Sequence, residues 1–590
     1  MILQALTNYY NLMVENGQLP EQGYSKAKVS FALNINESGD LIGIIPLQVP
    51  TRVGKKTVYK PQEMEVPEQI TRTVNTGSNF LCDNSGYVLG IDKKDNPTRT
   101  KECFNLFQDL HRRVLEGVET PCARAVLAFI DKWVPEDQKE SPVLKEYLDD
   151  ILSGGNLVFY LNGTGYVHED PKVREAWQEY KSKMESDTVM QCLVTGKMLP
   201  IARIHTAIKG VKGAQSSGAY IVSFNSQAYE SYGHEKQQGA NAPVSERAAF
   251  AYTTALNFML GSYNHRIDIG DSAVVFWAES TKPQYLDLFN FLLMPSEEEI
   301  QGPENVEDTK TTYRIRDLFR KVASGMPIEE ADQSLDPDVP FYVLALSPNA
   351  GRISIRFFLS GRYGSYVDRL VEHYRNMEIA RHPDDYQYVP LWKVMLETVP
   401  KASKDKSSSP LLTGAVLRAI LSGQPYPSAL YSAIMIRIRA DRDINRARAG
   451  IIKAYLIKKY NYQKYKEVLT VALNPECKEK AYILGRLFSV LEKVQEEANP
   501  GINTTIKDRY FTSACATPAS VFPVLLRLSN HHIAKAQYGK NAEIKIRELL
   551  NMLEVNDDPF PANLTLEEQG IFILGYYHQK QANYEKVRKE

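Results

Sequence analysis

The chain has 590 residues and a formal net charge of −1, with apolar and charged fractions of 43% and 24% that are ordinary for a globular protein. A chain of this length is too long for one hydrophobic core, so we expect two to four domains. The near-zero net charge excludes a general attraction to polyanions, so any affinity for nucleic acid must come from local basic patches.

Cysteine usage and the first residues indicate a soluble protein of the reducing cytoplasm. Six cysteines are scattered without a CxxC pair, which argues against a structural zinc site and against a disulfide scaffold. The opening MILQALTNYYNLMVENG predicts an amphipathic helix and lacks the basic residues of a secretory signal. No apolar run approaches the roughly 18 residues of a membrane span.

The N-terminal region alternates apolar and polar residues in the manner of paired strands. KVSFALNI and LIGIIPLQV flank a turn at 37–40, which predicts a hairpin. A Pro-punctuated loop follows and carries Lys55 and Lys56, which are candidates for contact with a nucleic-acid backbone.

A first polar cluster lies within TRTVNTGSNFLCDNSGYVLGID, ahead of a predicted strand at 87–91. A turn that hydrogen-bonds its own backbone explains its Asn, Ser and Gly residues. A loop laid into a DNA groove explains them equally well, and both interpretations stay open. The candidate residues for DNA contact are Arg72, Asn75, Thr76, Ser78 and Asn79.

A second polar cluster occupies 209–243 and is richer in amides. A glycine-rich loop precedes a predicted strand at 220–224, and a second polar loop leads to a helix that we expect from Ser245 to about Leu260. Amides donate and accept without carrying charge, which suits the reading of base edges, and glycines let a main chain approach a phosphate. The alternative is an ordinary polar surface. The candidates are Gln215, Ser216, Ser217, Gln237, Gln238 and Asn241, with Lys209 and Lys212 as backbone contacts.

Farther along, FYVLALS and RISIRFFLS predict a hairpin across a Pro-Asn-Ala-Gly turn. Strand geometry places Arg352, Ser354 and Arg356 on one face, and the two arginines are further candidates for backbone contact.

From Leu391 onward nearly the whole sequence predicts helix. Residues 437–466 contain ten basic residues against two aspartates, with tyrosines interleaved. Spacing puts Arg439, Arg442 and Arg446 on one helix face, and these residues with Lys453 are candidates for phosphate contact. A solvated helix face explains the run as well. Helical periodicity in 471–590 predicts a four- or five-helix bundle able to fold alone.

The predicted fold class is therefore α+β, a mixed N-terminal region with antiparallel strands followed by an all-α bundle. We expect an N-terminal domain over 1–385, a basic helical connection over 386–470 and the bundle over 471–590. A P-loop, GxGxxG, HExxH, GxSxG and nuclease acid clusters are absent from the sequence. Cys192 and His205 have no supporting motif as a nucleophile and base. We expect a non-enzymatic binding protein without a cofactor, the alternative being a metal-dependent nuclease.

Several segments together resemble the large subunit of the type I-C CRISPR surveillance complex (Cascade), of the Csd family. They are MILQAL, RTVNTGSNFLCDNSGYVLG, VTGKMLPIARIHTAIKGVKGAQSSGAYIVSFNSQAYESYG, NAPVSERAAFAYTTALN, GDSAVVFWAE and AYILGRLFSVLEKVQ.

The resemblance implies a role in RNA-guided DNA interference. Such a subunit reads the short motif that flanks the target in double-stranded DNA, helps open the duplex and holds the displaced strand, while base pairing with the guide RNA supplies most sequence discrimination. The implied partners are the guide RNA (crRNA), the backbone and 5′-handle-binding subunits, small subunits and a separate helicase-nuclease, with no membrane. The resemblance also implies that the bundle is made separately by internal translation, with a start near Val471.

Overall fold

The computed structural model describes residues 1–53, 56–70, 77–93, 96–138, 141–183, 187–224, 226–296, 310–382, 385, 388–460, 463–553 and 558–587. The chain forms two compact units. Unit 1 comprises Met1–Ala207 and Val222–Leu256, and unit 2 comprises Ile208–Ile221 and Asn257–Glu590. The mixture of helices and sheets confirms the predicted α+β class. Neither predicted domain boundary coincides with this division, and independent folding of 471–590 stays a prediction.

The strands of unit 1 are β1 (Tyr24–Ile35), β2 (Leu41–Pro46), β3 (Gln48–Val53), β4 (Lys56–Pro67), β5 (Cys82–Asn84), β6 (Asn156–Leu161), β7 (Gly165–Tyr166), β8 (Val189–Gln191) and β9 (Met198–Pro200). The unit is built on a mixed sheet in the order β3-β4-β1-β6-β5, with β2 on β1 and β7 on β6. Strand β1 is antiparallel to β2 and β4 and parallel to β6. The predicted hairpin is confirmed, because Leu33 faces Ile44 across the β1–β2 pair. A separate two-stranded sheet pairs β8 with β9.

The helices of unit 1 supply much of its core. Phe107, Phe129 and Phe159 pack in one apolar cluster between helices and sheet. The strand predicted at 87–91 is wrong, because Asn84 caps a short helix there by accepting from Gly86 N at 3.0 Å. The helices are Ile2–Glu15, Ser85–Val88, Pro97–Leu115, Pro121–Lys132, Pro135–Gln138, Pro142–Lys145, Leu148–Ser153, Pro171–Lys183 and Glu246–Gly261, the last crossing the division between units.

The helix predicted from Ser245 is confirmed. Ser245 Oγ accepts from Ala248 N at 3.3 Å, which satisfies one of the free amides of the first turn.

The strands of unit 2 are β10 (Arg266–Ile269), β11 (Ser272–Ala278), β12 (Pro340–Asn349) and β13 (Arg352–Arg362). They form an antiparallel sheet in the order β10-β11-β12-β13. The predicted β12–β13 hairpin is confirmed. The strand predicted at 220–224 is wrong: Tyr220 makes one parallel bridge to Arg352, and no strand of the described residues covers that range.

The other regular elements of unit 2 are helices. Apolar residues from the sheet to the last helix form one cluster, which includes Phe276, Leu370, Ile452, Phe488 and Phe572. The described part of 471–590 forms five helices, as its periodicity predicts. The helices of unit 2 are Gln284–Leu293, Lys310–Ala323, Ile328–Ala331, Tyr363–Met377, Leu391–Leu396, Pro410–Ser422, Ser428–Asp441, Arg446–Tyr460, Lys480–Ala498, Ile506–Ala516, Pro518–Lys535, Gly539–Met552 and Leu566–Val587.

Among the described residues, none of the helices combines the length and apolar character needed to cross a bilayer.

Candidate nucleic-acid interface

The glycine-rich loop of the sequence lies in unit 2 and is closed at its base. Ile208 and Ala219 exchange both backbone hydrogen bonds, at 2.8 and 2.9 Å. Lys209 N donates to Asn257 Oδ1 at 2.8 Å, and Gly218 N donates to Gln215 O at 2.9 Å. These bonds fix both ends of the 209–218 loop, so its tip is presented from a defined position.

The side chains at this tip are open to solvent. Gln215, Ser216 and Ser217 are exposed, as are Lys209 and Lys212. Within the described part of the chain, no hydrogen bond engages the side chains of the Gln-Ser-Ser triplet. Their donors and acceptors are therefore available to a ligand, and two ammonium groups lie in the same short loop.

The loop packs against the turn of the β12–β13 hairpin. Tyr220 N donates to Gly351 O at 3.1 Å, and Ile353 N donates to Tyr220 O at 2.9 Å. A Cβ built on Gly351 would lie 3.8 Å from Gln215 Nε2, which places the amide beside the turn. The structure thus brings the Gln-Ser-Ser loop close to Arg352, two features that the sequence presents 135 positions apart.

Arg356 belongs to a different environment. It is the extra residue of a β-bulge, because Ile355 and Phe357 pair with the consecutive residues Leu346 and Ala345. The bulge places Phe357 on the opposite face from Ile355, and the prediction that Arg352, Ser354 and Arg356 share a face stays a prediction. Arg356 forms an exposed ion pair of 3.4 Å with Asp271.

The second amide loop, in unit 1, uses its amides to brace itself. Asn241 Oδ1 accepts from Ser231 N at 2.7 Å, and Asn241 Nδ2 donates to Gln238 O at 3.0 Å. Gln238 Oε1 accepts from Arg203 Nε at 2.8 Å, while Gln237 Oε1 lies 2.9 Å from His234 Nδ1. A contact between these amides and a base edge would require such bonds to break, so their predicted role as readers has less support than that of Gln215.

This braced loop projects a residue that the sequence reasoning missed. Tyr232 is 95% exposed and has a φ of +58°, and Gly233 follows with a φ of +77°. Bulky residues seldom adopt this left-handed conformation, so the surrounding hydrogen bonds must hold it. The available signal was the Ser-Tyr-Gly-His sequence, a tyrosine beside a turn-forming glycine.

The first polar cluster is described only in part. Arg72, Asn75, Thr76 and Lys55 lie outside the described residues, and Lys56 is the first residue of β4. Ser78 is half-buried and donates to Asn79 O at 3.1 Å. Asn79 is only 5% exposed; its Oδ1 accepts from Ile70 N at 2.8 Å and its Nδ2 donates to Gln69 Oε1 at 2.9 Å. Asn79 thus links the chain that follows 71–76 to Gln69 and Ile70, which precede it.

The basic run does not form one solvated face. The helix Ser428–Asp441 ends before Arg442, which is left-handed at φ +52°, and the next helix begins at Arg446. The prediction that Arg439, Arg442 and Arg446 share a helix face is therefore wrong. Arg446 and Lys453, both candidates for phosphate contact, are buried.

Much of the charge in this run is neutralised within unit 2. Arg448 is 1% exposed and contacts Glu397 and Asp441 at 2.8 and 2.6 Å. Three other cations of the run form ion pairs: Arg437 with Asp441 at 3.5 Å, Lys458 with Glu372 at 2.6 Å and Lys464 with Glu567 at 3.0 Å. Arg439 donates a hydrogen bond to the amide oxygen of Gln569 at 2.5 Å.

Cys192 and His205 hydrogen-bond to different residues of unit 1. Burial raises the pKa of the Cys192 thiol, but hydrogen bonds from Ser245 and Thr195 outweigh it and bring the pKa to about 7. His205 Nδ1 lies 2.7 Å from Tyr252 Oη, and burial lowers the pKa of His205 to about 4. Each group thus has its own partner.

The chain as a whole was compared with known proteins. A family model described as CRISPR-associated protein (Cas_Csd1) matches residues 6–584. No curated protein matches the chain.

Proposed function

The chain belongs to the CRISPR-associated protein family Cas_Csd1, and this membership implies a part in a CRISPR effector complex. We propose that the chain is the non-catalytic large subunit of a type I-C surveillance complex. In this role it recognises the motif flanking the target in double-stranded DNA, helps open the duplex, stabilises the resulting R-loop and supports recruitment of the helicase-nuclease. Its partners are the guide RNA, both DNA strands, the backbone and 5′-handle-binding subunits and small subunits, in the cytoplasm.

The observation that carries this proposal is the open Gln-Ser-Ser triplet. Gln215 offers an amide donor and acceptor, the combination that reads an adenine edge, and the two serine hydroxyls adapt to either role. Lys209 and Lys212 supply the phosphate contacts that position such a reader without reading sequence. Because the loop is closed by the Ile208–Ala219 bonds, its ordering cost is largely met before DNA binds.

Tyr232 is the second candidate contact in the proposal. An exposed aromatic ring at the apex of a braced loop can stack on an unpaired base, a contact worth about 1–3 kcal/mol. Separating one DNA base step costs on the order of 1–2 kcal/mol, so one such contact offsets about one step.

The experiment uses the complex assembled with guide RNA. Substituting Gln215, Ser216 and Ser217 together by Ala should weaken binding of a flanked target duplex at least about tenfold, the effect of losing one good bidentate contact. Binding of a complementary single strand, which needs neither flank reading nor opening, should be unchanged. Gln424→Ala, which alters another exposed glutamine of unit 2, should change neither affinity.

Two rival functions make different predictions. A purely architectural subunit predicts that the triple variant binds flanked duplex like the wild type. A metal-dependent nuclease predicts that the purified chain cleaves flanked duplex when Mg²⁺ or Mn²⁺ is added.

A further inference from the structure

The helical part of unit 2 contains a polar cavity of about 810 Å³. The helices Tyr363–Met377 and Arg446–Tyr460 line it together with Gly423 and the segment 469–471. Its polar lining includes Glu372, Asn376, Lys453 and Lys458. The cavity lies apart from the Gln-Ser-Ser loop in sequence, and its charged lining consists of three cations, one of which is Arg375, and the Glu372 carboxylate.

Lys453 is the most deeply buried cation of this cavity. Its residue is 3% exposed, and its Nζ donates to Glu378 O at 2.5 Å. An ammonium has three hydrogens to donate, and the described chain supplies an acceptor for one of them. Burial lowers the pKa of Lys453 to about 8, although Glu378 opposes the shift. The site therefore holds a buried cation that has one protein acceptor among the described residues.

Two further groups of the lining point to the same deficit of acceptors. Asn376 Nδ2 is buried and has no acceptor within the described residues. Lys458 brings a second ammonium, whose charge is matched by Glu372 at 2.6 Å. Buried donors are almost always paired, and both the Asn376 amide and the Lys453 ammonium line the cavity with hydrogens available to a ligand.

A purely structural role for Lys453 accounts for only its hydrogen bond to Glu378 O. As a cap for the carboxyl end of the helix Tyr363–Met377 it would need its bond to Glu378 O and nothing more. That role leaves unexplained the remaining donors of Lys453, the unpaired Asn376 amide and the cavity itself.

We propose that this cavity binds a phosphoryl group, with Lys453 and Asn376 donating to its oxygens and Lys458 adding positive charge at the side. A phosphoryl group presents several strong acceptors and negative charge in a compact volume, which matches the donors of Lys453 and Asn376, while the Glu372 carboxylate of the lining is paired with Lys458. The group comes either from a free phosphate or nucleotide or from a nucleic-acid strand. This inference does not depend on flank recognition by the Gln-Ser-Ser loop.

The test measures binding to the purified full-length chain by isothermal titration calorimetry. The probes are inorganic phosphate, a 5′-phosphorylated oligothymidylate and the same oligonucleotide with a 5′-hydroxyl. Lys453→Met keeps the apolar stem and removes the charge, so it should weaken binding of the recognised probe by roughly tenfold to a hundredfold. The control Lys459→Met removes an exposed lysine that lies over the rings of Tyr455 and Tyr460, and should bind like the wild type.

Asn376→Ala provides a second variant of the lining, and it decides the matter if Lys453→Met does not fold. The proposal is supported if a probe binds the wild type and every cavity variant that folds binds that probe more weakly. Binding of inorganic phosphate alone would identify a free phosphate as the ligand. Binding of the phosphorylated oligonucleotide alone would identify the end of a strand, and equal binding of the two oligonucleotides would identify an internal phosphodiester. The proposal is overturned if no probe binds saturably, or if the cavity variants bind as well as Lys459→Met.

Discussion

At the scale of single residues, chemically similar amides of this chain have different roles that depend on their neighbours. Asn241 and Asn79 each hydrogen-bond backbone amides of adjacent segments, Ser231 N and Ile70 N respectively. Gln215 has no such partner among the described residues. Composition and loop context predicted all three as DNA readers, because sequence shows which groups can hydrogen-bond but not which backbone amide will lie within 3 Å.

This difference predicts that the two substitutions change the free energy of unfolding by different amounts. Asn241→Ala removes three hydrogen bonds of a half-buried side chain and leaves Ser231 N without its acceptor. We expect the free energy of unfolding to fall by about 1–3 kcal/mol, measured by urea denaturation. Gln215→Ala should change it by less than about 0.5 kcal/mol, as for an exposed site. Equal stability of the two variants would contradict the bracing role of Asn241.

Buried histidines predict a loss of stability in acid. Burial lowers the pKa of His111, His373 and His578 to about 3, far below the ordinary 6.5. Between those values the unfolded chain binds protons that the folded chain excludes, so stability is complete above pH 6.5 and is lost as pH falls toward 3. Each such histidine should cost up to about 1.4 kcal/mol per pH unit in that range.

The measurement is the free energy of unfolding in urea at pH 7.5 and pH 5.5. His373 Nδ1 lies 2.7 Å from Tyr426 Oη, and His373→Gln keeps a polar group there while removing the titration. The loss on acidification should be smaller in this variant than in the wild type. The control is His531→Gln, which makes the same substitution at an exposed position.

At the scale of elements, periodicity predicted the helices and alternation predicted the hairpins, since both depend on local spacing. The strands predicted at 87–91 and 220–224 failed because short apolar runs do not distinguish a strand from other structures. Regular spacing also fails where one residue interrupts an element. Arg442 adopts a left-handed φ and separates two helices that the spacing of arginines joined into one. Arg356 is inserted into β13 as a bulge and shifts the later residues of that strand to the opposite face. Such single-residue interruptions are decided by packing against distant segments, which periodicity does not contain.

The close contact between the helices Lys480–Ala498 and Leu566–Val587 depends on two glycines. A Cβ on Gly485 would lie 2.0 Å from Phe572 O, and one on Gly575 would lie 2.1 Å from Tyr482 O. Gly485→Ala should therefore force the helices apart and destabilise the chain by more than about 3 kcal/mol, seen as a lowered melting temperature. Gly414→Ala is the matched control, because that helical glycine has open space around its Cβ. It should be neutral or stabilising by up to about 1 kcal/mol.

At the scale of the whole molecule, the proposed role includes a second product made from the same reading frame. Internal initiation at Val471 would yield 471–590, about 14 kDa when scaled from 66.8 kDa for the 590-residue chain. We expect this band on expression of the gene. A synonymous change of the Val471 codon to one that cannot start translation should remove the band and leave the full-length chain, and a persistent band would refute the assignment.

Separated from the chain, that bundle would lose partners for its last helix. In the full chain Tyr431 Oη donates to Leu566 O at 2.9 Å, Tyr577 Oη donates to Ala380 O at 2.7 Å, and Gly570 lies against Tyr431. Because 471–590 contributes apolar residues such as Phe488, Phe511 and Phe572 to the core, we expect the purified fragment to be helical by circular dichroism. The uncovered face of Leu566–Val587 should make it self-associate, which sedimentation at increasing concentration would detect. Tyr577→Lys should weaken that association. A fragment that stays monomeric throughout would show that the helix needs no partner.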